Sequence, residues 1–202
     1  MITREKIEKF NKEDLPEIAL TLEKDDITQL VEWLAEKADE FRYHSFLLLL
    51  ARSEKYSDVF PHWDIFVQKL GDTNSYQRNI GLRMIAENVR WDQQGKFDEI
   101  CDFYLSFCDD EKPVTVRQCI QGLCSIVPFN TRCHATIAEK LMSIDILQRK
   151  ETQQKLVLLD ILSVLLLINE ANPNQAILAY IHQALSGGLL DKKSKAMIEA
   201  QL

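Results

Sequence analysis

Asp160 stands in Leu156-Val157-Leu158-Leu159-Asp160-Ile161-Leu162, five positions after Lys155. A carboxylate buried without a partner is strongly destabilising or is forced toward its neutral form. The residue therefore reads as a catalytic acid or as one half of a contact, and the contact is the better reading. The other groups that could do chemistry are scattered. His44, His62, His134 and His182 each lack a Cys, Asp or Glu at the spacing of a local dyad or ligand pair. His62, in Pro61-His62-Trp63-Asp64, fits a helix entry, with Pro early and acid near the positive end of the dipole.

Cysteines occupy positions 101, 108, 119, 124 and 133, an odd number without a CxxC pair. Cys101 and Cys108 fall on one helical stripe with Leu105, and Cys119 and Cys124 lie in an equally apolar stretch. They read as buried thiols acting as small hydrophobes. A site made of Cys119, Cys124, Cys133 and His134 is the alternative, but its spacing matches no usual zinc pattern. Gly-rich phosphate loops, GxSxG and HExxH are absent from the sequence. No metal or cofactor is expected.

Positioning such residues falls to helices. A basic residue recurs at Arg42, Arg78, Arg117, Lys155 and Lys193, at steps of 36, 39, 38 and 38. Seven positions later come Leu49, Ile85, Cys124, Leu162 and Ala200; three later come Ser45, Gly81, Ile120, Leu158 and Ala196. A period in this range marks stacked helix pairs, none of which buries its apolar face alone.

The pairs can be followed along the chain. An N-terminal cap at 3–22 is interrupted by Asn11 and Pro16. Helices are then predicted at Asp26–Ala38 with Asp39–Ser53, Ser57–Leu70 with Asn74–Trp91, and Gln94–Phe107 with Pro113–Val127. Thr131–Ser143 with Glu151–Ile168 and Asn174–Leu185 with Asp191–Leu202 complete the set. Gly71-Asp72-Thr73-Asn74 gives a stop followed by a polar cap, and Pro113 suits a first helical turn. Trp33 and Trp63 fall on outer helices and are expected in the core. No strand alternation appears.

With 202 residues, 46% hydrophobic and 27% charged, the chain is large and apolar enough for one domain or array. Its first residues alternate charges and carry no apolar signal core. The apolar run 156–168 is shorter than the roughly 20 residues a spanning helix needs. The expectation is a cytoplasmic protein without a membrane segment. The net charge of −7 argues against a protein whose main task is gripping phosphates.

The second helices resemble the inner helices of HEAT repeats, whose signature is an Asp in the turn and an Arg or Lys about six residues later. Asp72 and Arg78 carry that spacing, and Asp110 and Arg117 carry it with one extra residue. Asp39 stands only three before Arg42, and Lys155 has no suitable Asp ahead of it. The resemblance spans about residues 25–202. It implies an all-α, right-handed α-solenoid of about five stacked antiparallel helix pairs. The N-terminal cap would occupy 1–24 and the repeats about 25–55, 56–92, 93–129, 130–170 and 171–202. In such arrays these side chains link neighbouring turns, so Asp72, Arg78, Asp110, Arg117 and Lys155 are expected to form a structural ladder.

Two rows flank the ladder. One residue after each basic position stand Tyr43, Asn79, Gln118, Leu156 and Ser194; five after stand Leu47, Arg83, Gly122, Asp160 and Ile198. Asn79, Arg83, Arg90, Trp91, Gln118 and Asp160 are the candidates for contacting a partner on a concave face. Trp91 reads equally well as packing under the turn that follows it. The function this implies is a non-enzymatic scaffold or adaptor for a basic or neutral protein or peptide. A subunit docking by its last helix is a related reading. Alkylpurine DNA glycosylases, also built from HEAT-like repeats, are the enzymatic alternative. There Arg78, Arg83, Arg90, Trp91 and Asp160 would serve as cations, stacking aromatic and acid.

Overall fold

The computed structural model describes residues 2–11 and 13–202, save the side chains of Lys6 and Glu8. Among the described residues every regular element is a helix. The short α1 (Arg4–Glu8) and α2 (Leu15–Leu20) form the N-terminal part, with Pro16 in the first turn of α2, where a missing N–H costs nothing. Then follow α3 (Lys24–Trp33), α4 (Asp39–Ser53), α5 (Trp63–Leu70) and α6 (Ser75–Asn88). Next come α7 (Lys96–Ser106), α8 (Pro113–Ile126), α9 (His134–Met142) and α10 (Glu151–Ala171). The chain closes with α11 (Gln175–Ser186) and α12 (Lys192–Glu199).

Local chemistry sets several boundaries. At the start of α3, Glu23 and Asp26 form a reciprocal capping box. Asn74 Oδ1 accepts the Tyr76 N–H at 3.0 Å, and Asn174 Oδ1 accepts that of Ala176 at 2.8 Å. Residues 57–70 do not form one α-helix as expected. Pro61 lacks the N–H an α-turn requires, and Ser57–His62 tightens into a 3-10 turn before α5 begins. The first predicted helix stops at Trp33 rather than Ala38, and α10 runs past Ile168 to Ala171.

Residues Met1–Gln94 and Gly95–Leu202 form two compact units. In the first, α4 is the hub, packing against α1, α2, α3 and α6, while α5 lies against α6. Leu48 and Leu49 of α4 are fully buried, as are Leu30, Leu34, Phe66 and Leu82 around them. Trp33 and Trp63 are buried as expected. In the second unit α10 is the hub, packing against α8, α9, α11 and α12. Its Ile161, Leu162, Val164 and Leu165 are fully buried. The two most apolar stretches of the sequence thus become the central helices of the two units. An apolar surface that continues around a helix is stable only where neighbours cover it on several sides.

Candidate functional site

Arg42 and Arg78 hold the first two of the recurring basic positions. Arg42 Nη1 donates to the Glu36 carbonyl at 2.7 Å, and Arg78 Nη1 donates to the Asp72 carbonyl at 3.0 Å. Both guanidinium groups therefore return to the carbonyl six residues earlier, in the turn before their own helix. Such turns leave carbonyls without helical partners, and a guanidinium satisfies them with charge-assisted bonds. Arg78 also reaches the Thr73 carbonyl at 3.0 Å, while the Asp72 carboxylate accepts the Asn74 N–H at 2.7 Å. Arg42 pairs with Asp39 and lies over the Tyr76 ring at 4.4 Å, joining α4 to α6.

The remaining basic positions make different contacts. Asp110 Oδ1 accepts the Lys112 N–H at 2.8 Å. Arg117 reaches away from that turn, to Asp160 on α10. Its Nε donates to Asp160 Oδ2 at 2.6 Å and its Nη2 to Oδ1 at 3.2 Å. Gln121, one turn further along α8, adds a bond to Oδ1 at 3.1 Å. Lys155 pairs with Asp191, the N-cap of α12, and so joins α10 to the start of α12.

Asp160 is therefore a satisfied acid. Its side chain is 12% exposed and its two oxygens accept three bonds. The hydrogen bond to Asp160 raises the Arg117 pKa above its ordinary value, so the ion pair is held. A carboxylate held in this way is a structural anchor rather than a proton donor in waiting. The sequence points to Asp160, and its spacing hides both partners, because Arg117 lies 43 residues away on another helix.

The two flanking rows reach solvent over much of the chain. Tyr43, Asn79 and Gln118 are half-buried, Leu156 is exposed and Ser194 is buried. In the second row Leu47, Arg83 and Asp160 are half-buried, whereas Gly122 and Ile198 are buried. Asn79 Oδ1 is buried and makes no hydrogen bond. Phe46, which the row pattern does not single out, stands 6.5 Å from Tyr43, ring centre to ring centre, and adds apolar area to this face of α4. Gln121, which no motif singles out, stands four residues after Arg117 and so on the same helical stripe.

Arg90 and Trp91 lie elsewhere and do other work. Trp91 Nε1 donates to the Ser53 carbonyl at 2.7 Å, and Arg90 Nη1 to the Glu54 carbonyl at 3.1 Å. Both close the C-terminal end of α4, where carbonyls lack helical partners. Asn88 adds a bond to Ser53 Oγ at 3.0 Å. Of the two readings open for Trp91, this geometry gives the packing one.

The cysteines are all free thiols, with four buried and Cys124 half-buried. Cys119 lies with Cys108, Cys133 beside Asp98, and Cys124 near Asp160, while the His134 ring donates to the Val127 carbonyl at 2.9 Å. The grouping of Cys119, Cys124, Cys133 and His134 is thus not assembled. Among the described residues no group of three or more His, Cys, Asp or Glu side chains is arranged to hold a metal ion. No helix among them is long and apolar enough to cross a membrane.

No family model, curated protein or solved structure matches this chain.

Proposed function

We propose that this chain is a HEAT-like α-solenoid acting as a non-enzymatic scaffold, binding a basic or neutral protein or peptide along the exposed face of its second helices. One observation carries the reading. The residues one and five positions after the recurring basic residue are half-buried or exposed on α4, α6 and α10, and on α8 the first of them, Gln118, is half-buried. Within each unit, residues in register on neighbouring helices, α4 with α6 and α8 with α10, offer a partner adjacent contacts, which is the usual employment of stacked helix pairs. Asn79 Oδ1 on that face is buried without a hydrogen bond, a polar group that a bound partner would satisfy. The chain's charge of −7 favours a cationic partner through electrostatic complementarity.

Variants for the test must spare the Arg117–Asp160 anchor. Asn79→Lys with Gln118→Lys places two positive charges on that face and leaves Arg117 and Asp160 in place. Affinity capture with wild type and variant, followed by titration of any recovered protein, gives the decision. A protein bound by the first and at least tenfold more weakly by the second is the expected result. Equal affinity for both places binding elsewhere and ends the proposal for this face. Salt-sensitive binding of DNA by the wild type would instead return the nucleic-acid reading.

A further inference from the structure

A cleft of about 330 Å³ opens in the second unit between α10, α11 and the 3-10 turn Ile146–Gln148. Leu147, Leu158 and Leu189 supply apolar walls, and no side chain lining it is charged. Leu147 is 72% exposed, so the fold leaves a large apolar side chain of this cleft uncovered. Small-molecule sites usually occupy about 300–1,000 Å³, with mostly apolar walls and a few polar groups that fix orientation.

The polar groups lie on one stripe of α11 and its end. Tyr180, Gln183 and Gly187 line the cleft at spacings of three and four, and so share one side of the helix. Neither the Tyr180 hydroxyl nor the Gln183 amide makes a hydrogen bond to another described residue. Burial pushes the Tyr180 hydroxyl above its ordinary pKa, so it places no negative charge in the cleft. The stripe ends at a cation. Lys195 Nζ, from α12, donates to the Gly187 carbonyl at 3.0 Å. That bond uses one of the three donors of the ammonium.

The segment joining α11 to α12 keeps the space free. Gly187 and Gly188 bring no side chains, and a Cβ at Gly188 would meet no atom within 4 Å. Neither glycine has a left-handed backbone, so conformation alone does not demand them. Asp191, the acid that follows this segment, is already paired with Lys155. Lys192 and Lys193 stand exposed beside it, and with Lys195 they make the start of α12 positive.

We propose that the cleft binds a free medium-chain carboxylate, its alkyl chain against Leu147, Leu158 and Leu189 and its carboxylate on Lys195. Gln183, one turn before Gly187, offers its amide to the second carboxylate oxygen, and the Tyr180 ring extends the wall one turn further along α11. Charge selects the head group. A cationic amphiphile needs an acid in the wall, and none lines it; an uncharged one gains nothing from Lys195. The chain's net charge of −7 does not override this, because charges beyond about 8–10 Å are screened at physiological salt. The volume, near the lower bound for such sites, suits a single chain rather than a whole lipid.

Calorimetric titration of the full chain with hexanoate, octanoate and decanoate, each below its micelle concentration, tests this. Affinity is expected to rise about fourfold for each methylene buried. Decyltrimethylammonium is expected to bind at least tenfold more weakly than decanoate. Leu147→Glu changes an exposed position and leaves the core intact, and it is expected to weaken decanoate at least tenfold. Lys195→Gln is expected to weaken decanoate about tenfold and to leave decanol unchanged. No binding of decanoate, or wild-type affinity in both variants, overturns the proposal. Equal affinity for decanoate and decyltrimethylammonium overturns the assigned head group. A wild-type dimer that Leu147→Glu dissociates, without decanoate binding, would mean that a second copy covers the cleft. Binding to anionic vesicles alone would mean that a membrane surface does, and either result ends the proposal.

Discussion

Arg117 and Asp160 meet side on, Nε to Oδ2 at 2.6 Å and Nη2 to Oδ1 at 3.2 Å, across 43 residues of sequence. This bidentate pair ties α8 to α10 where the two helices pack, and Gln121 completes the acceptor set of the carboxylate. It turns the one acid in the chain's longest apolar run into a fixed point between helices. Replacing Asp160 with Ala leaves the Arg117 guanidinium and the Gln121 amide without it. A loss of about 2 kcal/mol of unfolding free energy is expected. In a double-mutant cycle with Arg117→Ala, chemical denaturation should show coupling of roughly 1–2 kcal/mol. Additive losses would mean that the pair contributes nothing specific.

Arg52 predicts a larger effect. Its side chain is 9% exposed and makes three bonds to Asp58, from Nε to both carboxylate oxygens at 3.1 Å and from Nη2 to Oδ2 at 2.6 Å. Its Nη1 closes the carbonyls of Ala19 and Leu20 at 3.0 and 3.1 Å, and the guanidinium lies 3.8 Å from the centre of the Tyr56 ring. Arg52→Ala should cost roughly 2–4 kcal/mol, since it strands a carboxylate and two α2 carbonyls. Arg52→Lys should recover little, because a point charge cannot reproduce the planar fork. Thermal melts of both variants give the comparison, and a lysine variant as stable as wild type would refute the geometric argument.

Gly81 is required by close packing rather than by its backbone conformation. A Cβ there would lie 2.7 Å from the Phe66 carbonyl oxygen and 3.0 Å from Leu70, both on α5. Alanine ordinarily improves a helix interior by about 1 kcal/mol relative to glycine. Here overpacking of about 1–3 kcal/mol opposes and exceeds that gain, so Gly81→Ala should lower the melting temperature. A higher melting temperature would show that α5 and α6 separate at little cost.

Two groups give the stability a defined pH response. Burial lowers the His62 pKa, so the unfolded chain binds its proton more readily than the folded one. Stability from His62 is complete above its unfolded value of about 6.5 and falls as pH drops from there toward the folded value. Asp26 acts lower on the scale. Burial works to raise its pKa, but the backbone N–H groups of Glu23 and Ile2 bind the carboxylate and the balance is a depressed value. Its contribution is present above about pH 3.9 and is lost as pH falls through the folded value. Denaturant midpoints from pH 7 to pH 3 should flatten near pH 6 in His62→Gln and at the acid end in Asp26→Asn. Unchanged profiles would remove these assignments.

Asn79 separates stability from binding. Its Oδ1 is buried without a hydrogen bond, so Asn79→Ala removes an unmet demand. The melting free energy should stay within about 1 kcal/mol of wild type or rise. A drop of several kcal/mol would show that the amide is structurally required, and the argument from its unsatisfied oxygen would then fail.

The sequence by itself determined the secondary structure and most of what is buried. The 3-and-4 spacing of apolar residues, Pro113, the Asn and Asp caps and the Gly-led breaks act over one or two helical turns, and Asp39–Ser53 appears with the expected ends. The same periodicity places Trp33 and Trp63 in the core and makes the apolar runs of α4 and α10 into hubs. Arg42 and Arg78, which share the recurring basic position, both return to carbonyls six residues behind them. Tertiary structure alone decided the partners. Arg117 chose Asp160 over the turn containing Asp110, Arg90 and Trp91 turned to the end of α4, and Cys108 met Cys119. The physical reason is range. A helix is written in neighbours three and four residues apart, whereas a hydrogen bond between helices depends on which long side chain finds an unsatisfied group across the packing contact. Spacing along the chain carries no record of that choice.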